Sequence, residues 1–342
     1  MNASLSDLKE WKLKALTDIW TGDAERRGDR LIPTGLLGSI RWWFEVLVRG
    51  LGGKACDPSD SHNRCPQDSR KKPTDPGHHC VVCELFGCTG WARKFRLMVL
   101  DSQGQVIQGQ IKANTEFTLR FVALRTIREE EWCLLDLTMR LLADYGAIGG
   151  KTVLKPSNEQ GRQNAFHHRD FGLIQYLSAP DGWSCARSQS ELTAYVCDTQ
   201  WRKPPDTSGP QGQTHDFSWA SLQNFWCVKG RYLARQYAVE STFNQVIGRK
   251  ERKKQAQQLE SDTPVNRWLA GRQQESKKVF SFKAGGRRTF GFVKPGTVEF
   301  DEIKQRLRNV WSGFNPDSEF KEGDNILSEL FRLRQSSEGG AP

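Results

Sequence analysis

The feature that most limits what this chain can fold into is the order in which its apolar period switches between residues 10 and 177. EWKLKAL (10–16) alternates Trp11, Leu13 and Ala15 with lysines, the pattern of a half-buried strand. TGLLGSIRWWFEVLVRGLGG (34–53) then places Leu36, Leu37, Ile40, Trp43, Phe44, Leu47, Val48 and Leu51 at helical spacing. Thr34 suits its N-cap, and Gly52–Gly53 stop it. KFRLMVL (94–100) and GQIKANTEFTLRFVAL (109–124) return to strand spacing on either side of a turn at Asp101–Gly104. EEEWCLLDLTMRLLADYGAIGG (129–150) is a helix with acidic residues at its dipole-positive end, and RDFGLIQYL (169–177) is a further strand. Strand, helix, strand, strand, helix, strand is the ferredoxin-like order, also used by RNA-recognition modules.

The second half has fewer markers. LTAYVC (192–197) reads as a short strand, residues 216–239 as a helix with Trp219, Leu222, Phe225, Trp226 and Leu233 inward, and 278–296 as a hairpin around Gly285–Gly286. DEIKQRLRNVW and NILSELFRLR read as two closing helices, and 248–260 as a solvated charged stretch. The expected class is α+β: tandem ferredoxin-like (RRM-like) folds, the first over 1–185 with an aperiodic insertion at 52–92, the second, degenerate, over 186–342.

Five of the nine cysteines fall in that insertion, as Cys56, Cys65, Cys80, Cys83 and Cys88. A Cys-x-x-Cys turn brings two sulfurs to adjacent vertices of a tetrahedral ion, and an ion would supply the folding energy that an aperiodic loop lacks. Cys56, Cys65, Cys80 and Cys83 are the expected ligands of one structural zinc, with Cys88 or a neighbouring histidine as a substitute. The amino terminus has no apolar signal region and no run of about 18 apolar residues occurs, so a cytoplasmic chain without membrane spans or a disulfide framework is expected.

The net charge is +10 and the chain holds twelve tryptophans, a pairing that suits a polyanion whose bases stack. GAIGGKT (146–152) departs from a P-loop: Tyr145 stands where the first glycine belongs, and the segment follows a helix rather than a strand. Its glycines and Lys151 are instead read as a cradle for an RNA backbone. The candidate RNA contacts are Arg41, Trp42, Arg93, Lys94, Gly149, Gly150, Lys151, Arg162, His167, Arg169 and the hairpin-tip pair Arg287 and Arg288.

HHCVVCELFGCTGWARKFRL, LIPTGLLGSIRWWFEVL and GAIGGKT with its following Arg169-Asp170-Phe171-Gly172 resemble the signatures of RAMP-superfamily proteins, the RNA-binding subunits of CRISPR effector complexes, and those of type III-B (Cmr) complexes above all. In that family the last run is usually Arg-Gly-Phe-Gly, so Asp170 is a departure. The resemblance implies two ferredoxin-like folds and a non-catalytic role in antiviral defence, binding the 3′ region of guide RNA and its paired target RNA beside other RAMP subunits. Two other readings remain open. His167 and His168 with Tyr145 and Lys151 would suit a metal-independent endoribonuclease, and the cysteine loop would suit a zinc-containing DNA-binding regulator.

Overall fold

Alternation in the first half produces one sheet. In the computed structural model, which describes residues 8–23, 25, 27–57, 60–150, 156–163, 165–205, 207–208, 215–236, 241–250, 258–271 and 276–336, the chain runs β1 (Leu8–Ala15), α1 (Pro33–Gly50), α2 (Val81–Phe86), β2 (Phe95–Leu100), β3 (Glu116–Ala123), α3 (Glu129–Asp144), β4 (Ile174–Ser178) and α4 (Gln189–Cys197). The sheet order is β2-β3-β1-β4 with every pairing antiparallel. Trp11, Leu13, Phe117, Leu119 and Phe121 face α1 and α3, while Glu10, Lys12, Thr118 and Arg120 face outward. Asp136 of α3 locks the layers together. It accepts from Trp11 Nε1 (2.9 Å) on β1, from the Tyr176 hydroxyl (2.5 Å) on β4, and from Arg140 Nε (2.8 Å) on α3 itself.

The same order recurs downstream. After a two-residue ladder of β5 (Thr207–Ser208) and β6 (His215–Asp216) come β7 (Phe225–Lys229), α5 (Thr242–Ile247), α6 (Pro264–Ala270), β8 (Val279–Phe282), β9 (Arg288–Phe292), α7 (Phe300–Val310), α8 (Pro316–Glu319), β10 (Phe320–Glu322) and α9 (Gly323–Ser336). The second sheet is β10-β7-β9-β8, again antiparallel, so the fold is a tandem of ferredoxin-like units.

The second sheet is buried on both faces. Phe225, Cys227, Phe290 and Phe292 join the core built on the first sheet, whereas Trp226, Val228 and Val279 join a separate core with α5, α6 and α7. The partner on the first face is α1. Trp43 meets Phe225 and Phe290 edge-on at 5.7 and 5.8 Å, and Trp42 meets Phe292 at 5.7 Å.

Several elements differ from their sequence patterns. The segment 192–197 is helical, not extended: Ser188 caps α4, its Oγ accepting from Glu191 N while a Glu191 carboxylate oxygen accepts from Ser188 N (2.8 Å). Among the described residues 216–236 there is no long helix. A 3-10 turn at 222–224 leads into β7, and Gly230 with φ 82° ends the strand. Helix α1 is entered through Ile32 and Pro33 with no side-chain cap, so Thr34 lies inside it. β3 starts at Glu116 and α3 ends at Asp144, both shorter than their apolar runs. Cys133 and Cys185 form one disulfide, which the expectation of no disulfide framework did not foresee. Segment 251–257 of the charged stretch lies outside the described residues. Among the described residues no helix is long and apolar enough to cross a membrane.

Trp43 carries the join between the two sheets. It is 3% exposed, donates from Nε1 to Ala147 O (3.0 Å) and lies over Gly146, where a Cβ would sit 2.6 Å from the ring. Trp43→Ala is expected to cost about 3–5 kcal/mol in equilibrium denaturation; a loss below about 1 kcal/mol would mean that the two sheets are held elsewhere.

Candidate metal centre and nucleic-acid interface

The aperiodic insertion wraps a knot of thiols. Cys56, Cys65, Cys80 and Cys83 are all buried, their sulfurs lie within 4.8 Å of one another, and Cys56 and Cys83 approach to 3.4 Å. A tetrahedral ion with metal–sulfur bonds of about 2.3 Å needs sulfurs about 3.8 Å apart, so the four fit one ion after small adjustments. The four ligands expected from the spacing are the four brought together, without Cys88. Cys80 is the N-cap of α2, and its backbone N–H donates to Cys65 Sγ at 3.3 Å. Burial alone would raise the Cys80 thiol, but donation from Cys56, Cys65 and Cys83 holds it well below the usual thiol range.

Two guanidinium groups face the sulfurs. Arg41 Nη2 lies 3.3 Å from Cys83 Sγ and 3.7 Å from Cys56 Sγ, with Nη1 donating to Gly87 O and Nε to Glu45. Arg202 Nη1 donates to Cys65 Sγ at 3.1 Å and to Asn63 O at 2.9 Å, and Nη2 to Gln67. A divalent ion held by four thiolates is an anionic centre, and buried cations offset it. Arg41 is thus occupied at the cysteine centre, and Arg202 is a member of the site with no signature in the local sequence.

The remaining candidate residues separate into two groups. Lys94 is buried and paired with Glu84 (2.5 Å) and Glu131 (2.8 Å). Arg288, expected at an exposed tip, is the first residue of β9 and 7% exposed, and it donates to Ala143 O and Gly146 O. Trp42 is half-buried between Trp43 and Phe292. The glycine segment is not an open cradle. Ile148 N donates to Gly172 O, Gly149 N to Ser39 Oγ and Gly150 N to Trp20 O, at 2.8 to 3.0 Å, so these amides are spent internally. The glycines serve close approach instead: a Cβ would sit 2.7 Å from Trp20 O at Gly149 and 1.9 Å from Ile148 O at Gly172. Lys151 lies outside the described residues. Tyr145 is buried and its hydroxyl donates to Glu329 of α9, which ties it into the core rather than to a histidine site.

The second group converges at a seam between the two units. Segment 156–173 packs against the β8–β9 tip and the chain after β7. Asp170 Oδ2 accepts from Lys283 N (2.8 Å) and Ala284 N (2.6 Å), Arg235 N donates to Pro156 O, and the Tyr232 hydroxyl donates to Asn158 (2.7 Å). Exposed His167 and Arg169 are thereby brought to the side of the molecule that carries exposed Arg287, with half-buried Arg162 ion-paired to Glu159. The Arg287 guanidinium lies 5.4 Å and Lys283 Nζ 5.8 Å from the Tyr232 ring centroid. Gly285, Gly286 and Arg287 all have positive φ, which for arginine costs of order 1–3 kcal/mol. Arg93 is half-buried at the entry to β2, away from this contact set. Sequence reasoning missed Tyr232, placed in a helix that does not form, and Lys283; Asp170 was visible only as a departure from a familiar run.

Arg202→Ala keeps all four thiols and removes one compensating cation. Zinc, used as the probe ion, is expected to be held about 10–100-fold less tightly in competition with a chromophoric chelator; an unchanged affinity would mean that the guanidinium plays no part in holding the ion.

With this geometry in view, the chain can be set beside known proteins. No curated protein sequence matches it. In outline it is similar to the crystal structure of Cmr1 from Pyrococcus furiosus in its apo form (10% identity, 94% of this chain and 96% of that one, TM-score 0.41). It is also similar to a chain of a type III-B Cmr-beta complex bound to cognate target RNA and AMPPnP (10% identity, 96% and 99%, TM-score 0.42), and to one of a type III-A Csm3-Csm4 subcomplex (17% identity, 55% and 93%, TM-score 0.26). The RAMP superfamily model matches residues 12–154, the stretch that holds α1, α2, β2, β3, α3 and the four clustered cysteines. That stretch is similar to RAMP-superfamily domains.

Proposed function

We propose that this chain is a non-catalytic RNA-binding subunit of a type III-B CRISPR ribonucleoprotein. It holds the 3′ region of the guide RNA and its paired target, beside other RAMP subunits, in the cytoplasm. The two ferredoxin-like units act as domains joined through α1, and the four-cysteine centre is a structural zinc site.

The observation that carries the reading is the seam. Lys283 and Arg287 of the β8–β9 tip lie over Tyr232, and Asp170 fixes segment 156–173, with its exposed His167 and Arg169, to the same tip. Cations interleaved with an aromatic ring suit a single strand, whose phosphates pair and whose bases stack. The backbone strain at Arg287 supports it, because strained backbone persists where a function holds it. Two alternatives lose ground on physical terms. RRM modules stack bases on sheet aromatics, but the outward residues of β1 and β3 include no aromatic ring, and the second sheet is covered on both faces. A glycine cradle for phosphate is disfavoured because its amides at 148–150 already have acceptors.

The test is binding of labelled single-stranded RNA across a salt series. Affinity is expected to fall steeply with salt, and Arg169→Ala with Arg287→Ala is expected to lower the slope of log K against log salt by about 0.7 per lost phosphate contact on a single strand. An unchanged slope in the double variant would place the RNA elsewhere, and RNA cut in the absence of metal would overturn the non-catalytic role.

A further inference from the structure

Beside the four-cysteine knot lies a second cluster of donors that the first centre does not use. His78, His79 and Cys88 each offer one ligand atom, and the three atoms lie within 4.8 Å of one another. His78 and His79 are 3% and 6% exposed, and Cys88 is half-buried. We propose that these three residues hold a second zinc ion, next to the structural one and distinct from it. This inference is independent of the RNA-binding reading.

The surroundings are those of a prepared ligand set. The two Nδ1 atoms stand 2.9 Å apart, sharing one hydrogen where an ion would lie between them. His79 turns its other nitrogen to a carboxylate, with Nε2 2.7 Å from Glu84 Oε2. Donation from Nε2–H fixes the tautomer that leaves Nδ1 bare for a metal, the carboxylate–histidine–metal arrangement. Glu84 is held in turn by Lys94 at 2.5 Å, and the His79 ring is held flat by Trp91, stacked at 4.9 Å. A bridge between Cys88 and Trp91 closes the turn that lifts Cys88 toward the histidines, with Gly87 and Gly90 at positive φ. The Cys88 thiol is engaged weakly by Thr89 O at 3.7 Å and interacts with Cys83 at the edge of the four-cysteine knot.

On binding, Cys88 gives its proton to solvent and coordinates as thiolate, while His78 carries its proton on Nε2 and coordinates through Nδ1. Two imidazoles and one thiolate suit zinc over harder cations. The neighbouring Thr89 and Gly90 are exposed, so the fourth position falls to solvent. A three-ligand site of this kind is open, in contrast to the closed knot beside it.

The experiment is a zinc titration of the full chain read by native mass spectrometry, repeated with cobalt(II) for its thiolate charge-transfer bands. The wild type is expected to take two equivalents. His78→Ala and Cys88→Ala, which leave the four-cysteine site and the His79–Glu84 pair intact, are each expected to take one, with the cobalt spectrum of the four-thiolate site unchanged. A wild type that stops at one equivalent, or a His78→Ala chain that still takes two, would overturn the proposal.

Discussion

Four consecutive residues of α1 hold this molecule together by packing on three different parts of it. Arg41 faces the thiols of Cys56 and Cys83, Trp42 packs on Phe292 of the second sheet, Trp43 packs on Phe225 and Phe290 and donates to Ala147, and Phe44 packs on Phe86 of α2. A helix turns about 100° per residue, so one short run touches the cysteine insertion, the second sheet and the glycine segment. A sheet face that would otherwise be solvated is thereby covered, and the units share a core. The cost is that Arg41 and Trp42 are occupied with protein and not with a ligand.

That arrangement also decides where a partner can bind. With the second sheet closed on both sides and the glycine amides turned inward, the hairpin-tip cations Lys283 and Arg287 are the ones held over Tyr232 at the seam. Asp170 sets the seam by accepting two amides of the hairpin tip, which anchors the residues next to it in sequence. Burial raises the Asp170 carboxyl above its ordinary value, with the two amides acting in the opposite sense. The glycine usual at this place in the resembling family has no such acceptor, so the Asp170 contact is a local way of docking the second unit.

The first sheet and its helices were legible because each strand has one dry and one wet face, and alternation reports that directly. The second sheet was hard to read for the opposite reason. Phe225, Trp226, Cys227 and Val228 are buried in succession on a strand of five residues, so no alternation remains and the run mimics a buried helix. The hairpin at Gly285–Gly286 was legible through its turn chemistry. The clustering of the four thiols could be read from the Cys-x-x-Cys spacing, but Arg202, separated from Cys65 by 137 positions, could not. The glycine segment misled because glycine permits both an anion nest and tight backbone packing, and only the acceptors at Trp20, Ser39 and Gly172 distinguish them. Arg288 misled because a one-residue difference in where β9 begins turns a tip side chain into a buried one.

The most direct measurement is photocross-linking of a 4-thiouridine-substituted single-stranded RNA to the intact chain, with the modified peptides mapped by mass spectrometry. The account predicts adducts on Tyr232 and within 166–170 and 283–287. Adducts concentrated on the outward face of the first sheet, at Lys12, Lys14 and Arg96, with none at the seam, would contradict it.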